Sequence, residues 1–290
     1  MKILLTGSSG QVGYELARSL QGLGEVVAPG RSGMDLANLD QVRDVIRTVK
    51  PGLIVNPAAY TAVDQAEREP ELALLINARA PEVMAEEARK LGAAMIHYST
   101  DYVFDGSKSG PYVEDDPTCP VNVYGRSKLA GEQAIQACGI DHLILRTSWV
   151  YGMRGKNFLL TVLRLAQERP ELRIVGDQYG APTWCRTIAD TTAHILARMQ
   201  ADADPAAWWR QHGGIYHLTA QGRTSWAGFT QEILNNAPLV TPPRVSEITT
   251  AEYPLPARRP ASSVLSSERL MQAFCGLPAW EDALQLCMAA

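Results

Sequence analysis

A short apolar run, Lys2-Ile3-Leu4-Leu5-Thr6, passes without a break into Gly7-Ser8-Ser9-Gly10-Gln11-Val12-Gly13 and then into a helical stripe of Val12, Leu16, Leu20 and Leu23. Glycines between a strand and a helix permit a tight turn. They also let backbone N–H groups approach an anion where the helix dipole favours negative charge. The spacing is GxxGxxG rather than GxGxxG, and a glycine triplet alone is weak. The strand before it and the helix after it carry the reading: a pyrophosphate cradle at Gly7, Ser9, Gly10, Gln11 and Val12.

The same alternation continues through the first half. Apolar runs at 2–6, 25–29, 53–56, 94–99 and 142–147 are separated by helical periodicities, among them Leu72, Ile76, Val83 and Leu91, which read as sheet-packing positions. This is the pattern of βαβ units, and it predicts an α/β fold: a Rossmann-type doubly wound parallel sheet followed by a smaller α+β substrate-binding portion. The boundary falls after Tyr151-Gly152, giving a nucleotide-binding domain over 1–152 and a substrate domain over 153–290. In the second half the pattern predicts helices near 157–168, 186–199 and 225–235, an apolar run at 172–175 and a strand at 215–219, with 238–260 Pro-rich. The helix at 186–199 is expected to return to the first sheet, and the polar Asp/Ala/Trp stretch at 201–211 reads as a linker or loop.

Composition narrows the function. At 290 residues with 46% hydrophobic side chains the chain can bury a large core unaided by disulfides or metals, and a net charge of −4 leaves no basic excess for nucleic acid. Five scattered cysteines, with no CxxC pair, fit reduced thiols in the cytoplasm. No apolar run reaches membrane-spanning length, and the first residues leave no room for a signal peptide, so neither a membrane nor a secretory route is expected.

After the second strand comes Ala28-Pro29-Gly30-Arg31-Ser32, with no acid until Asp35. An acid there would bond the ribose hydroxyls of NADH, whereas Arg31 and Ser32 suit a 2′-phosphate, so NADPH is expected to be preferred, with NADH possible. Asp35 and Leu36 would lie near the adenine. Asn56, Ala58, Ala59, Tyr60 and Thr61, after the third strand, would line the same crevice at the carboxyl ends of the strands.

Tyr124-Gly125-Arg126-Ser127-Lys128 places a phenol and an ammonium four residues apart on one helical face. A cation near a phenol favours its ionised form, so Lys128 is expected to bring Tyr124 closer to neutral pH as a proton donor and acceptor. Ser99-Thr100-Asp101-Tyr102 ends the fourth strand, where the Thr100 hydroxyl would hydrogen-bond a carbonyl oxygen undergoing reduction.

Together these features resemble the extended short-chain dehydrogenase/reductase superfamily. Four longer blocks, His97 to Gly106, Asn122 to Glu132, Arg146 to Tyr151 and Asp177 to Thr183, resemble the signatures of the dTDP-4-dehydrorhamnose reductase family, and Arg258 to Leu265 is similar to its C-terminal substrate-side block. The resemblance implies reduction of a 4-keto sugar linked to dTDP. It also implies roles: Tyr124 gives the proton, Lys128 holds the nicotinamide ribose and tunes Tyr124, and Thr100 steadies the oxygen. Trp149 would pack on the sugar. Asp101 and Tyr102 would contact the sugar, and Arg259 would pair with the diphosphate.

One stretch departs from the family pattern. Some members are metal-bridged dimers using glutamates, one of them shortly after the QYGAPT block. Here that stretch is Trp184-Cys185-Arg186-Thr187, so no metal site is expected and the chain is left as monomer or homodimer. Two other functions share the fold. A nucleotide-sugar dehydratase or epimerase would keep its cofactor bound and regenerate it within each cycle, and a dehydratase would also need paired carboxyls after the threonine, but Tyr102 follows Asp101. A non-catalytic subunit resembling the partner of methionine adenosyltransferase would not need the intact Thr100, Tyr124 and Lys128.

Overall fold

The computed structural model describes residues 1–289. Its first half runs β1 (Lys2–Leu5), α1 (Gln11–Ser19), β2 (Glu25–Val27), α2 (Leu39–Val49), β3 (Leu53–Asn56), α3 (Val63–Ala66), α4 (Pro70–Leu74), α5 (Ala80–Leu91), β4 (Ala94–Thr100), α6 (Val123–Ala137) and β5 (His142–Thr147). One π-helical turn, Leu75–Arg79, joins α4 to α5. The second half adds β6 (Val150–Tyr151), α7 (Phe158–Glu168), β7 (Glu171–Val175), β8 (Tyr179–Gly180), β9 (Thr183–Trp184), α8 (Cys185–Ala201), α9 (Pro205–His212), β10 (Gly214–His217), β11 (Thr224–Ser225), α10 (Trp226–Asn236), β12 (Arg244–Ile248), α11 (Glu268–Ala273) and α12 (Trp280–Ala289).

Six strands form one parallel sheet in the order β10-β5-β4-β3-β1-β2. Strand residues alternate between its faces, as a pleated strand requires. Ile3, Leu5, Leu53, Val55, Ile96, Leu143 and Leu145 meet α1, α8 and α9 on one side, and Leu4, Ile54, Met95 and Ile144 meet α2, α5 and α6 on the other. Burial of Leu16 and Leu20, both 0% exposed, fixes α1 to its face at roughly 1.5–3 kcal/mol each. Val83 is buried as expected. Leu91, the last residue of α5, is 38% exposed, because eight residues beyond Val83 the helix has turned about 80° away from the buried face.

The stretch read as a linker at 201–211 is instead mostly helical. Asp204 caps α9 by accepting from Ala207 N–H and Pro205 opens its first turn, while Trp208 and Trp209 are buried against the main sheet. Two indoles supply enough apolar area to pull an otherwise polar segment inward. The strand read at 215–219 pairs in parallel with β5 as the edge of the six-stranded sheet. The Pro-rich segment contains β12, which pairs in parallel with β7. Around that pair, α7, α10 and α12 enclose a separate core of Tyr151, Leu159, Val162, Phe229, Ile233, Trp280 and Leu284.

Candidate active site

The strand order reverses between β1 and β3, and at such a switch point the loops leave in opposite directions and open a crevice at the carboxyl ends of the strands. Gly7 lies there with φ +56°, and a β-carbon on it would fall 2.9 Å from the Ala58 β-carbon. Gly13 packs so closely that a β-carbon would sit 2.1 Å from the Gly7 carbonyl oxygen. The first intrahelical bond of α1 is Tyr14 N–H to Gly10 carbonyl, and no side chain caps the helix. The N–H groups of Gln11, Val12 and Gly13 are therefore left for an anion, so the turn fits a dinucleotide pyrophosphate.

Around this turn, Ser9, Arg31, Ser32 and Thr61 are exposed, and Ala58, Ala59 and Tyr60 are half-buried. The Gln41 side chain ties the loop together, accepting from Asp35 N–H at 2.8 Å and donating to the Ser32 carbonyl at 3.1 Å. Leu36 turns into the core beside α2, so at that position only backbone faces the crevice. Tyr60 donates from its N–H to Asn77 Oδ1 and from its phenol to Glu69. The Gln11 amide oxygen accepts from Asn157, joining the glycine turn to the second half of the chain.

Thr100 is the last residue of β4, and Asp101 begins a short 3-10 turn capped by the Thr100 hydroxyl. That hydroxyl donates to Asp101 Oδ1 at 2.9 Å. Asp101 is 2% exposed, and burial pushes its carboxyl up to about 6 against the hydrogen bonds it accepts. On α6, Asn122 Oδ1 caps Gly125 N–H, and Glu67 just beyond α3 accepts from Val123 N–H, so two acceptors hold the turn that carries Tyr124. Gly125 is required there: a β-carbon would fall 2.1 Å from the Tyr102 carbonyl oxygen. Tyr102 and Tyr124 meet edge to face, with centroids 5.8 Å apart.

Tyr124 is shifted opposite to the sequence expectation. Burial pushes its phenol up to about 12, opposed by the Thr100 hydroxyl and reinforced by the Asp101 charge. Lys128 is not among the groups that shift it, and the Nζ is turned down onto β4, donating to the Tyr98 carbonyl at 2.6 Å and facing His97 Nε2 at 3.0 Å. Burial pushes Lys128 down to about 8, and Glu132 works against that. The phenol is therefore a protonated donor at neutral pH. His97 and Glu67 are site residues that spacing did not reveal. Each touches the Tyr124/Lys128 helix from elsewhere in the chain, which a motif of five residues cannot show, whereas Asn122, the cap of α6, opens the block already quoted from the sequence.

On the substrate side, Trp149 adopts φ +45°. That left-handed conformation costs roughly 1–3 kcal/mol in a bulky residue, and such strain concentrates at functional sites. Its ring stacks on Trp226, with centroids 3.5 Å apart and planes 4° from parallel, so one face expected to meet a sugar is already taken by another indole. Gly180 makes room for it, since a β-carbon there would lie 2.5 Å from the Trp149 ring. Arg259 does not stand free for a diphosphate. It forms a two-pronged pair with Asp64, both contacts 2.8 Å, and holds the Asp64 carboxyl below its usual range. Among the described residues no three His, Cys, Asp or Glu side chains group as metal ligands, and no helix is long and apolar enough to cross a membrane.

A protonated phenol one helical turn from a buried ammonium, beside a dinucleotide crevice, is the means by which short-chain dehydrogenases and reductases move a proton as a carbonyl changes oxidation state. Fold and site place the chain in that class. Over residues 1–290 it matches the family model described as RmlD substrate binding domain. It is 51% identical to a dTDP-4-dehydrorhamnose reductase of Burkholderia thailandensis, covering 99% of this chain and 98% of that one. Against the Escherichia coli K12 reductase of the same name it is 45% identical over 97% of this chain and 95% of that one. The crystal structure of the Bacillus anthracis dTDP-4-dehydrorhamnose reductase in complex with NADP superposes with a TM-score of 0.90, at 33% identity over 99% of this chain and 98% of that one. The chain belongs to the dTDP-4-dehydrorhamnose reductase family.

Proposed function

We propose that the chain reduces the 4-keto group of dTDP-4-dehydro-β-L-rhamnose to the alcohol of dTDP-L-rhamnose, using NADPH. The observation that carries this reading is the placement of the Tyr124 phenol beside Thr100 at the carboxyl end of β4, with buried Lys128 one turn further along α6. The uncapped start of α1 would hold the pyrophosphate, and Arg31 and Ser32 the 2′-phosphate. Bound NADPH supplies the hydride. Tyr124 gives its proton to the sugar oxygen as negative charge develops there, and the Thr100 hydroxyl, turning its proton from Asp101, donates to the same oxygen. Lys128, anchored from below, presents its remaining N–H to the nicotinamide ribose. Asp101 and Tyr102 line the sugar, with the Trp149–Trp226 pair as one aromatic wall, and Arg259 reaches the diphosphate by exchanging Asp64 for it.

In this reading the nucleotide-binding unit is residues 1–152 together with α8, α9 and β10, and the remainder of 153–290 holds the sugar nucleotide. The unpaired cysteines support a cytoplasmic location, and the chain is read as a monomer or homodimer.

The test is NADPH oxidation, followed by absorbance, with enzymatically generated dTDP-4-dehydro-L-rhamnose. Turnover is expected, and Tyr124→Phe is expected to abolish it while NADPH binding persists. A parent chain that binds NADPH yet leaves this keto sugar untouched overturns the substrate assignment. Full activity in Tyr124→Phe overturns the proton donor.

A further inference from the structure

The Lys128 ammonium belongs to a buried chain of polar groups that crosses the sheet. Its Nζ faces His97 Nε2 at 3.0 Å, His97 Nδ1 faces the Asn56 amide at 3.0 Å, and Asn56 Oδ1 accepts from the Thr6 hydroxyl at 2.6 Å. Lys128 is 1% exposed, His97 and Asn56 0% and Thr6 2%, so water cannot substitute for a missing partner. Thr6 follows β1, Asn56 ends β3 and His97 lies within β4, and the network therefore ties the glycine turn to the catalytic helix through three neighbouring strands.

Donors and acceptors along this chain can be counted. An ammonium only donates, so a charged Lys128 requires a lone pair on His97 Nε2 and hence a proton on Nδ1. That proton requires an acceptor. Asn56 must then turn its oxygen to the ring and its nitrogen to Thr6, whose hydroxyl oxygen accepts. With the amide in the opposite sense, the one found here, Nδ1 accepts, Nε2 carries the proton, and Nζ facing it must be the neutral amine. The ammonium is thus satisfied only with the Asn56 oxygen turned to the ring, whereas the neutral amine, which both donates and accepts, is satisfied with either sense.

We infer that His97 is a positioning residue for Lys128: when the Asn56 amide turns its oxygen to Nδ1, opposite to the sense found here, the Nε2 lone pair holds the lysine as an ammonium with one N–H left for the cofactor. This rests on the reading of Lys128 as the ribose-holding group. The imidazole itself stays neutral, since burial and the Lys128 charge both lower its pKa. Glu132, one turn along α6, is the charged group that favours the ammonium. Arg146 of β5 is tied to Glu132, Asp101 acts on Tyr124 and Tyr102, Glu67 just beyond α3 accepts from Val123 N–H, and the Tyr98 phenol is turned away to Thr192 of α8.

The chain has six lysines, so 13Cε-lysine labelling gives a spectrum in which Lys128 is assigned by its loss in Lys128→Arg. Its titration is followed by NMR without cofactor in the parent, His97→Leu, His97→Gln and Asn56→Asp, and NADPH affinity is measured across the same pH range. His97→Leu removes an acceptor and is expected to lower the Lys128 midpoint by about one pH unit, tenfold in the proton equilibrium. His97→Gln restores an amide oxygen and is expected to return the midpoint most of the way. Asn56→Asp accepts from Nδ1–H and cannot donate, so the midpoint is expected to rise. The alkaline loss of NADPH affinity should move with each midpoint. An unchanged midpoint in His97→Leu, or a fall in Asn56→Asp, overturns the inference, and if the leucine variant does not fold, the other two variants decide it. A parent that titrates as described but never binds NADPH overturns the cofactor reading alone.

Discussion

Replacing Arg146 by leucine removes one half of an ion pair that water hardly reaches. The Arg146 and Glu132 side chains are 3% and 1% exposed, and the guanidinium grips the carboxylate through Nε at 3.0 Å and Nη2 at 2.6 Å. Geometry of this kind offsets the cost of dehydrating both charges, but the pair as a whole adds little net stability over an apolar replacement. Arg146→Leu leaves the Glu132 carboxylate buried without its ion-pair partner and with only the more distant Lys128 charge, at a cost of about 3–5 kcal/mol. In a chain of this size that corresponds to a fall in Tm of about 6–15 °C. Glu132→Leu combined with Arg146→Leu removes both charges and is expected to recover most of the loss. Differential scanning calorimetry, with urea unfolding followed by tryptophan fluorescence, reads both variants. A double variant no more stable than Arg146→Leu would refute the reasoning, because the loss would then belong to packing and not to the stranded charge.

Gly13→Ala drives a β-carbon into the Gly7 carbonyl and is expected to cut NADPH affinity at least tenfold by titration, whereas Gly110→Ala, in open space, should not change it. Arg31→Ala is expected to weaken NADPH by about tenfold and NADH little, and equal losses would remove Arg31 from cofactor choice. Asp101 is raised to about 6 from its ordinary 3.8, so it contributes stability below about pH 4 that is lost as pH rises through about 6. Asp101→Asn should therefore raise Tm relative to the parent more at about pH 8 than at about pH 5. EDTA is expected to leave both activity and sedimentation unchanged, and dissociation or inactivation would show a metal requirement.

What was legible in the sequence was local. The glycine turn, the carboxyl-terminal position of Thr100 and the four-residue spacing of Tyr124 and Lys128 each depend on neighbours within one turn or one strand. The parallel sheet followed from the alternation of runs. What escaped depended on partners far along the chain. Arg259 meets Asp64 across 195 residues and Lys128 meets His97 across 31, so neither partner could be assigned from spacing. The helix α9 did carry a signal, since Asp204-Pro205 is a cap followed by a helix-opening proline, but the charged and small residues around it masked the two buried tryptophans.

The sheet closes late. Its last strand, β10, comes from beyond α9 yet lies against β5. A chain emerging from the ribosome thus carries an open edge at Leu143 to Arg146 until His217 has been made, with its backbone donors and acceptors available to any passing strand. A fragment ending at residue 152 would keep the glycine turn, Tyr124 and Lys128 and still be a poor nucleotide-binding module. Without β10 and without α8, such a fragment would uncover the edge of β5 and the apolar faces of β5 and α1 that they bury, so the cost of cutting there falls on the sheet itself.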